Sequence, residues 1–76
     1  MRESKHFTDM LVERGIKKEW AKLALDSPDR IEKKGDGTRH LIKRIPEFGN
    51  RWLRVIVNTA TVPETLITAF FDRRVR

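Results

Sequence analysis

The feature that most constrains this chain is a change of period at Asp29. Before it, apolar residues recur at helical spacing. After it, β-forming runs are separated by short turns. Lys34-Gly35-Asp36-Gly37 is a Gly-rich hairpin turn, and Pro46-Glu47-Phe48-Gly49-Asn50 has turn chemistry at both ends. A third turn, residues 59–64, contains Pro63. Connections this short join antiparallel neighbours. The runs between them predict strands over residues 30–33, 38–45 and 52–58, with a last strand in the run 65–74.

The last run is the richest in β-formers, with Thr65, Ile67, Thr68, Phe70 and Phe71 close together. Alternation gives it a core face of Ile67, Ala69 and Phe71. Its other face carries Leu66, Thr68, Phe70 and Asp72. In the preceding strand Leu53, Val55 and Val57 face one way, and Trp52, Arg54 and Ile56 the other. The second strand leaves its facing open: His40 and Arg44 share one side, Arg39 and Lys43 the other.

Upstream, Ser4 caps a helix over residues 5–14, with Phe7, Met10, Leu11 and Arg14 as its stripe. Gly15 ends it as the left-handed C′ residue, and Ile16 packs back. A second helix covers residues 17–26, its buried side built from Trp20, Ala21, Leu23, Ala24 and Leu25. Pro28 stops it. Lys17 and Lys18 stand at its positive end, against the helix dipole. The fold class that follows is α+β, with two N-terminal helices packed on one face of a four-stranded antiparallel sheet. The other sheet face stays partly open.

At 76 residues the chain makes one small domain, residues 1–76, with little surface to bury. It has no Cys, hence no disulfide or Cys-based metal site. No His or carboxylate spacing resembles a metal motif. The start of the chain lacks a signal-peptide apolar region, and no run reaches the ~20 residues of a membrane span. The expectation is a cytoplasmic protein with no membrane segment and no cofactor.

Net charge is +6, and its distribution says more than its sum. Residues 1–36 carry nine basic and eight acidic groups, whereas residues 37–76 carry eight basic and only three acidic ones. In that second part every basic residue except Lys43 is Arg. Arg forks onto phosphate oxygens, which favours a polyanionic partner. A soluble basic surface is the plainer alternative.

Several stretches together resemble the DUF4258 family: His6 with Arg14-Gly15-Ile16, then Leu53-Arg54-Val55-Ile56-Val57, then Leu66-Ile67-Thr68-Ala69-Phe70. The similarity runs from Lys5 to Arg74. That family looks like a branch of the RelE-like toxins within the barnase/EndoU/colicin/RelE nuclease superfamily. The resemblance implies a RelE-like fold and the toxin of a type II toxin–antitoxin pair. Such a toxin is a metal-independent endoribonuclease acting on mRNA, either free or only on the ribosome, and held by a cognate antitoxin. His6, Arg54 and Thr68 match its histidine, strand arginine and last-strand hydroxyl, which makes them the catalytic candidates. Phe70 stands where relatives carry Tyr, and this chain has no Tyr. Lys17 stands where a capping Ser is usual.

Metal-free RNA cleavage needs a base for the 2′-OH, an acid for the leaving 5′ oxygen and cations for the transition state. His6 and His40 are the only histidines, each with a surface reading beside the functional one. Arg54 interrupts an apolar strand, either as a solvent-facing alternation residue or as a phosphate clamp. Thr68 is a β-former or a substrate contact. Trp52 and Phe70 stack on bases, fill a core or meet an antitoxin. Arg39, His40, Arg44, Arg73 and Arg74 complete the RNA-binding candidates, with Arg76 in the same tail. The alternative function is a non-catalytic module of the same fold that binds nucleic acid or protein.

Overall fold

The computed structural model describes residues 1–75. Helix α1 spans Lys5–Glu13 and starts where Ser4 turns its hydroxyl back to accept from the Phe7 N–H at 3.1 Å. That bond satisfies a donor the first turn leaves orphaned. Gly15 closes the helix at φ 65°, and the Ile16 N–H returns to the Leu11 carbonyl at 2.9 Å. This is the left-handed ending anticipated from Gly15. Phe7, Met10 and Leu11 are buried.

Helix α2, Lys18–Asp26, has Lys17 at its N-cap with no side-chain capping bond. It buries Trp20, Ala21 and Ala24. Leu23 was expected on that side but is 42% exposed. At 100° per residue it falls off the stripe that the other three define.

The sheet is a meander of β1 (Arg30–Lys33), β2 (Thr38–Ile45), β3 (Arg51–Asn58) and β4 (Thr65–Phe71), each antiparallel to the next. A short 3-10 turn, Pro46–Phe48, links β2 to β3. Arg2 adds a parallel bridge beside Thr65, its carbonyl accepting from the Leu66 N–H at 3.0 Å. Among the described residues no helix is long and apolar enough to cross a membrane.

Both helices lie on one face. Their buried residues form one cluster with Leu41, Ile45, Leu53, Val55, Val57, Leu66 and Ala69. An aromatic trio closes one end of it: Trp20 and Phe48 have ring centroids 5.2 Å apart, Phe48 and Phe71 4.9 Å. The indole N–H of Trp20 donates to Glu47 there.

The β2 facing that the sequence left open follows from register. Leu41 pairs Val55 and faces the helices, while Ile42 pairs Arg54 on the opposite face. His40 and Arg44 therefore share the Arg54 side, and Arg39 and Lys43 the helix side.

β4 corrects its expected alternation. A bulge opposite Ile56 and Val57 pairs Thr68 with Ile56 but Leu66 with Val57, leaving Ile67 as the extra residue. Leu66 is thereby buried, and Ile67, expected in the core, is 40% exposed. One inserted residue resets which face each neighbour occupies. The strand also ends at Phe71 rather than running on, although the Asp72 N–H still bonds the Trp52 carbonyl at 2.8 Å.

Candidate functional site

The face that no helix covers carries a charged group centred on Arg54. Its Nε donates to Asp72 Oδ2 at 2.9 Å, and its Nη1 donates to Glu32 Oε1 at 2.9 Å. The same Nη1 lies 2.8 Å from His40 Nδ1. A guanidinium only donates, so Nδ1 is the acceptor and the neutral imidazole carries its proton on Nε2. One cation thus ties β3 to the hairpin β1–β2 and to the segment after β4.

Register explains the convergence. Glu32 pairs His40 across the first hairpin, and His40 pairs Ile56, two residues from Arg54 on the same face. Fully buried Ile42 lies directly across from Arg54 and gives the group an apolar floor. Asp72 is only 5% exposed. It accepts from Arg54, from the Arg74 backbone N–H at 2.9 Å, and from Arg74 Nε and Nη2 at 3.0 and 3.2 Å. Arg30, Lys34, Phe70, Arg74 and Val75 join these residues around a depression of about 410 Å³.

The electrostatics follow from this geometry. Hydrogen bonds from Arg54 and then Lys34 hold the Glu32 carboxyl down at about 2. The Arg74 side chain, ahead of Arg54, holds Asp72 well below the usual carboxylate range. Burial first, then the Arg54 charge, pushes the His40 imidazole below its ordinary value. Burial opposes the charge on Arg54, yet its bonds to Glu32 and Asp72 outweigh that and raise its pKa. Among the described residues no group of three or more His, Cys, Asp or Glu is placed to hold a metal ion.

The expected site residues divide into those this group gathers and those it does not. Arg54 and Arg74 meet on Asp72, His40 joins through its bond to Arg54, and Phe70 lines the same depression. Trp52 is half-buried on the same face with the Arg30 guanidinium 5.1 Å above its ring. Arg44 is exposed on that side, its backbone N–H bonded to Asp29 at 2.9 Å.

The remaining candidates lie elsewhere. Arg39 faces the helix side and forks onto Glu64 at 3.0 and 3.1 Å. Thr68 donates to Met10 Sδ and accepts from Arg14 Nη1, which also bonds the Ala69 carbonyl at 2.8 Å. Its hydroxyl therefore ties α1 to the outer edge of β4. His6 is exposed on the first turn of α1, and its side chain makes no hydrogen bond with the described residues. Arg73 is exposed, and Arg76 lies outside the described residues.

Sequence reasoning missed Glu32, Arg30 and Lys34 as site residues, and placed Asp72 on the right face without giving it a role. The missing signal for Glu32 was the hairpin register. A turn centred on Gly35-Asp36-Gly37 brings Lys33 opposite Arg39 and Glu32 opposite His40.

No curated protein and no solved structure matches this chain. A protein-family model described as a domain of unknown function, DUF4258, matches residues 4–71. That match covers both helices and all four strands, so the chain belongs to the DUF4258 family.

Proposed function

We propose that the chain is a RelE-like endoribonuclease, the toxin of a type II toxin–antitoxin pair, which cuts single-stranded mRNA in the cytoplasm without a metal. The observation that carries this reading is a single guanidinium bonded to both a carboxylate and an imidazole, in a basic depression on the uncovered face.

The chemistry is an internal transesterification. The 2′ oxygen forms a bond to phosphorus, the bond from phosphorus to the 5′ oxygen breaks, and two protons change hands. Glu32 is the base and His40 the acid. Phosphate oxygens would take the Arg54 and Lys34 donors that now hold Glu32 low. Losing those bonds raises the Glu32 pKa and makes it a better base. A bound phosphodiester also offsets the Arg54 charge, which lets His40 protonate and deliver a proton to the leaving oxygen. Arg54, Arg30 and Arg74 then stabilise charge on the phosphorane-like transition state. DNA lacks the nucleophile for this route.

The test is RNA cleavage in chelator, followed by analysis of the new ends. Glu32→Gln and His40→Gln should each lower the rate by about 10²–10⁴-fold while RNA binding persists. Wild-type activity in both variants, on free RNA and on translating ribosomes, overturns the assignment.

A second reading is a binding module with no catalysis. It is favoured by Arg54 already being engaged by the protein's own Glu32 and Asp72, and by Phe70 in place of a phenol. Salt-sensitive RNA binding with no cleavage selects it. In either reading, an antitoxin that covers this face would shield half-buried Trp52 and Phe70.

A further inference from the structure

A second depression, of about 540 Å³, lies at the end of the sheet where β3 begins and β4 has ended. Gly49, Asn50, Arg51, Trp52, Phe71 and Arg73 line it, together with Asp72 and Val75. Those last two residues also line the depression around Arg54, so the hollows share one wall.

The two hollows differ in how their cations are used. Arg54 and Arg74 are bound to carboxylates. Arg51 meets no carboxylate among the described residues; its guanidinium lies 4.8 Å from the Phe48 ring centroid. Arg73 is exposed and likewise has no carboxylate partner among them. The shared wall carries little net repulsion for an anion, because Asp72 is covered by Arg54 and Arg74. The Trp52 indole also lines the hollow and supplies flat apolar surface beside the Arg30 guanidinium, which lies 5.1 Å from its ring centroid. Two guanidinium groups with no carboxylate partner among the described residues, in one hollow with an indole, are the pattern that holds a nucleotide by its phosphate and its base. Left-handed Gly49 and Asn50, at φ 65° and 55°, turn the chain sharply there.

We infer that this hollow is a second nucleotide subsite, which takes the next two phosphates and the base between them of a single RNA strand whose reacting phosphate lies at Arg54. The inference rests on the RNA-cleavage reading above. In it, Arg51 and Arg73 bind phosphate, Trp52 meets the base, and Val75 with the neutralised Asp72 separates successive nucleotides. Affinity then grows with strand length beyond a dinucleotide, and the growth comes from residues outside the reacting group.

Calorimetric titration with 2′-O-methyl uridine oligonucleotides of two to six residues, which lack the attacking hydroxyl, tests this, using the whole chain. For wild type, affinity should rise about tenfold from the dinucleotide to the tetranucleotide, as two further ion contacts and a stacked base would give. The double variant Arg51→Gln/Arg73→Gln should keep the dinucleotide affinity and lose that rise. Its slope of log K against log salt for the tetranucleotide should be shallower by about 1.4, two single-strand phosphate contacts at ~0.7 each. Arg51→Lys/Arg73→Lys should restore most of both, which separates lost charge from lost packing against Phe48. Arg54→Gln should weaken every length together. An unchanged rise in the Gln double variant overturns the subsite and leaves the Arg54 reading standing. Failure of wild type to bind any length overturns both.

Discussion

The two faces of the sheet are built from the same four strands and handle burial in opposite ways. On the helix side, Leu41, Leu53, Val55, Val57 and Ala69 meet α1 and α2 in a continuous apolar layer. On the other side Ile42 is the one fully buried aliphatic among the described residues, and a cation lies across the strand from it. Apolar contact needs no particular partner, so the first face is specified by pattern and volume alone. The second is held by directional bonds, and each charge there depends on the others being in place. Arg54 is tolerable in mid-sheet because Glu32, Asp72 and His40 take its donors.

The contrast is most easily broken from the helix side. Leu53→Ala should cost about 2–5 kcal/mol, the range for a fully buried Leu, which is most of the stability a domain this small possesses. Chemical denaturation should find it largely unfolded without denaturant. A loss below 1 kcal/mol would mean the helices do not depend on this layer.

Arg54→Ala comes next. Breaking a buried ion pair costs about 3–5 kcal/mol, but Arg74 still donates to Asp72 through three bonds. The expected loss is therefore about 2–3 kcal/mol, measured the same way, with Asp72→Asn adding less when combined than when alone. Strict additivity of the two substitutions would show that the pair is not coupled.

The smallest effect sharpens the comparison by pH. The His40 pKa is lowered in the folded state, so below about 6.5 the unfolded chain binds the extra proton and stability declines. His40→Gln should flatten the thermal midpoint from pH 6.5 downward. Glu32 and Asp72 are shifted down, so their contribution is full above about pH 5 and falls away below it. Leu53-side substitutions should leave both pH trends unaltered, since Leu53 faces the helices, on the opposite side of the sheet from His40, Glu32 and Asp72. A His40→Gln profile that overlays the wild type would remove the imidazole from the network.

Much of this molecule is local in origin. Ser4 and Gly15 bound α1, Pro28 ends α2, and turn residues separate strands that match their expected bounds to within one residue for β1, β2 and β3. The alternation in β3 put Arg54 on the uncovered face, and the Arg-rich second half of the chain pointed to that side. The candidate site was less legible. His6 and Thr68 came from resemblance, and neither meets the Arg54 group; Thr68 is spent on Met10 and Arg14. Arg39 looked free because its partner, Glu64, is 25 residues away.

The sequence by itself determined the element order, the antiparallel meander and the two-sided character of β3, because these depend on spacing within a few residues. Only tertiary structure decided which carboxylates answer Arg54, which way β2 faces, and that the bulge in β4 buries Leu66 in place of Ile67. Those outcomes depend on register between strands. A shift of one residue leaves composition and periodicity untouched and exchanges every side chain between the two faces.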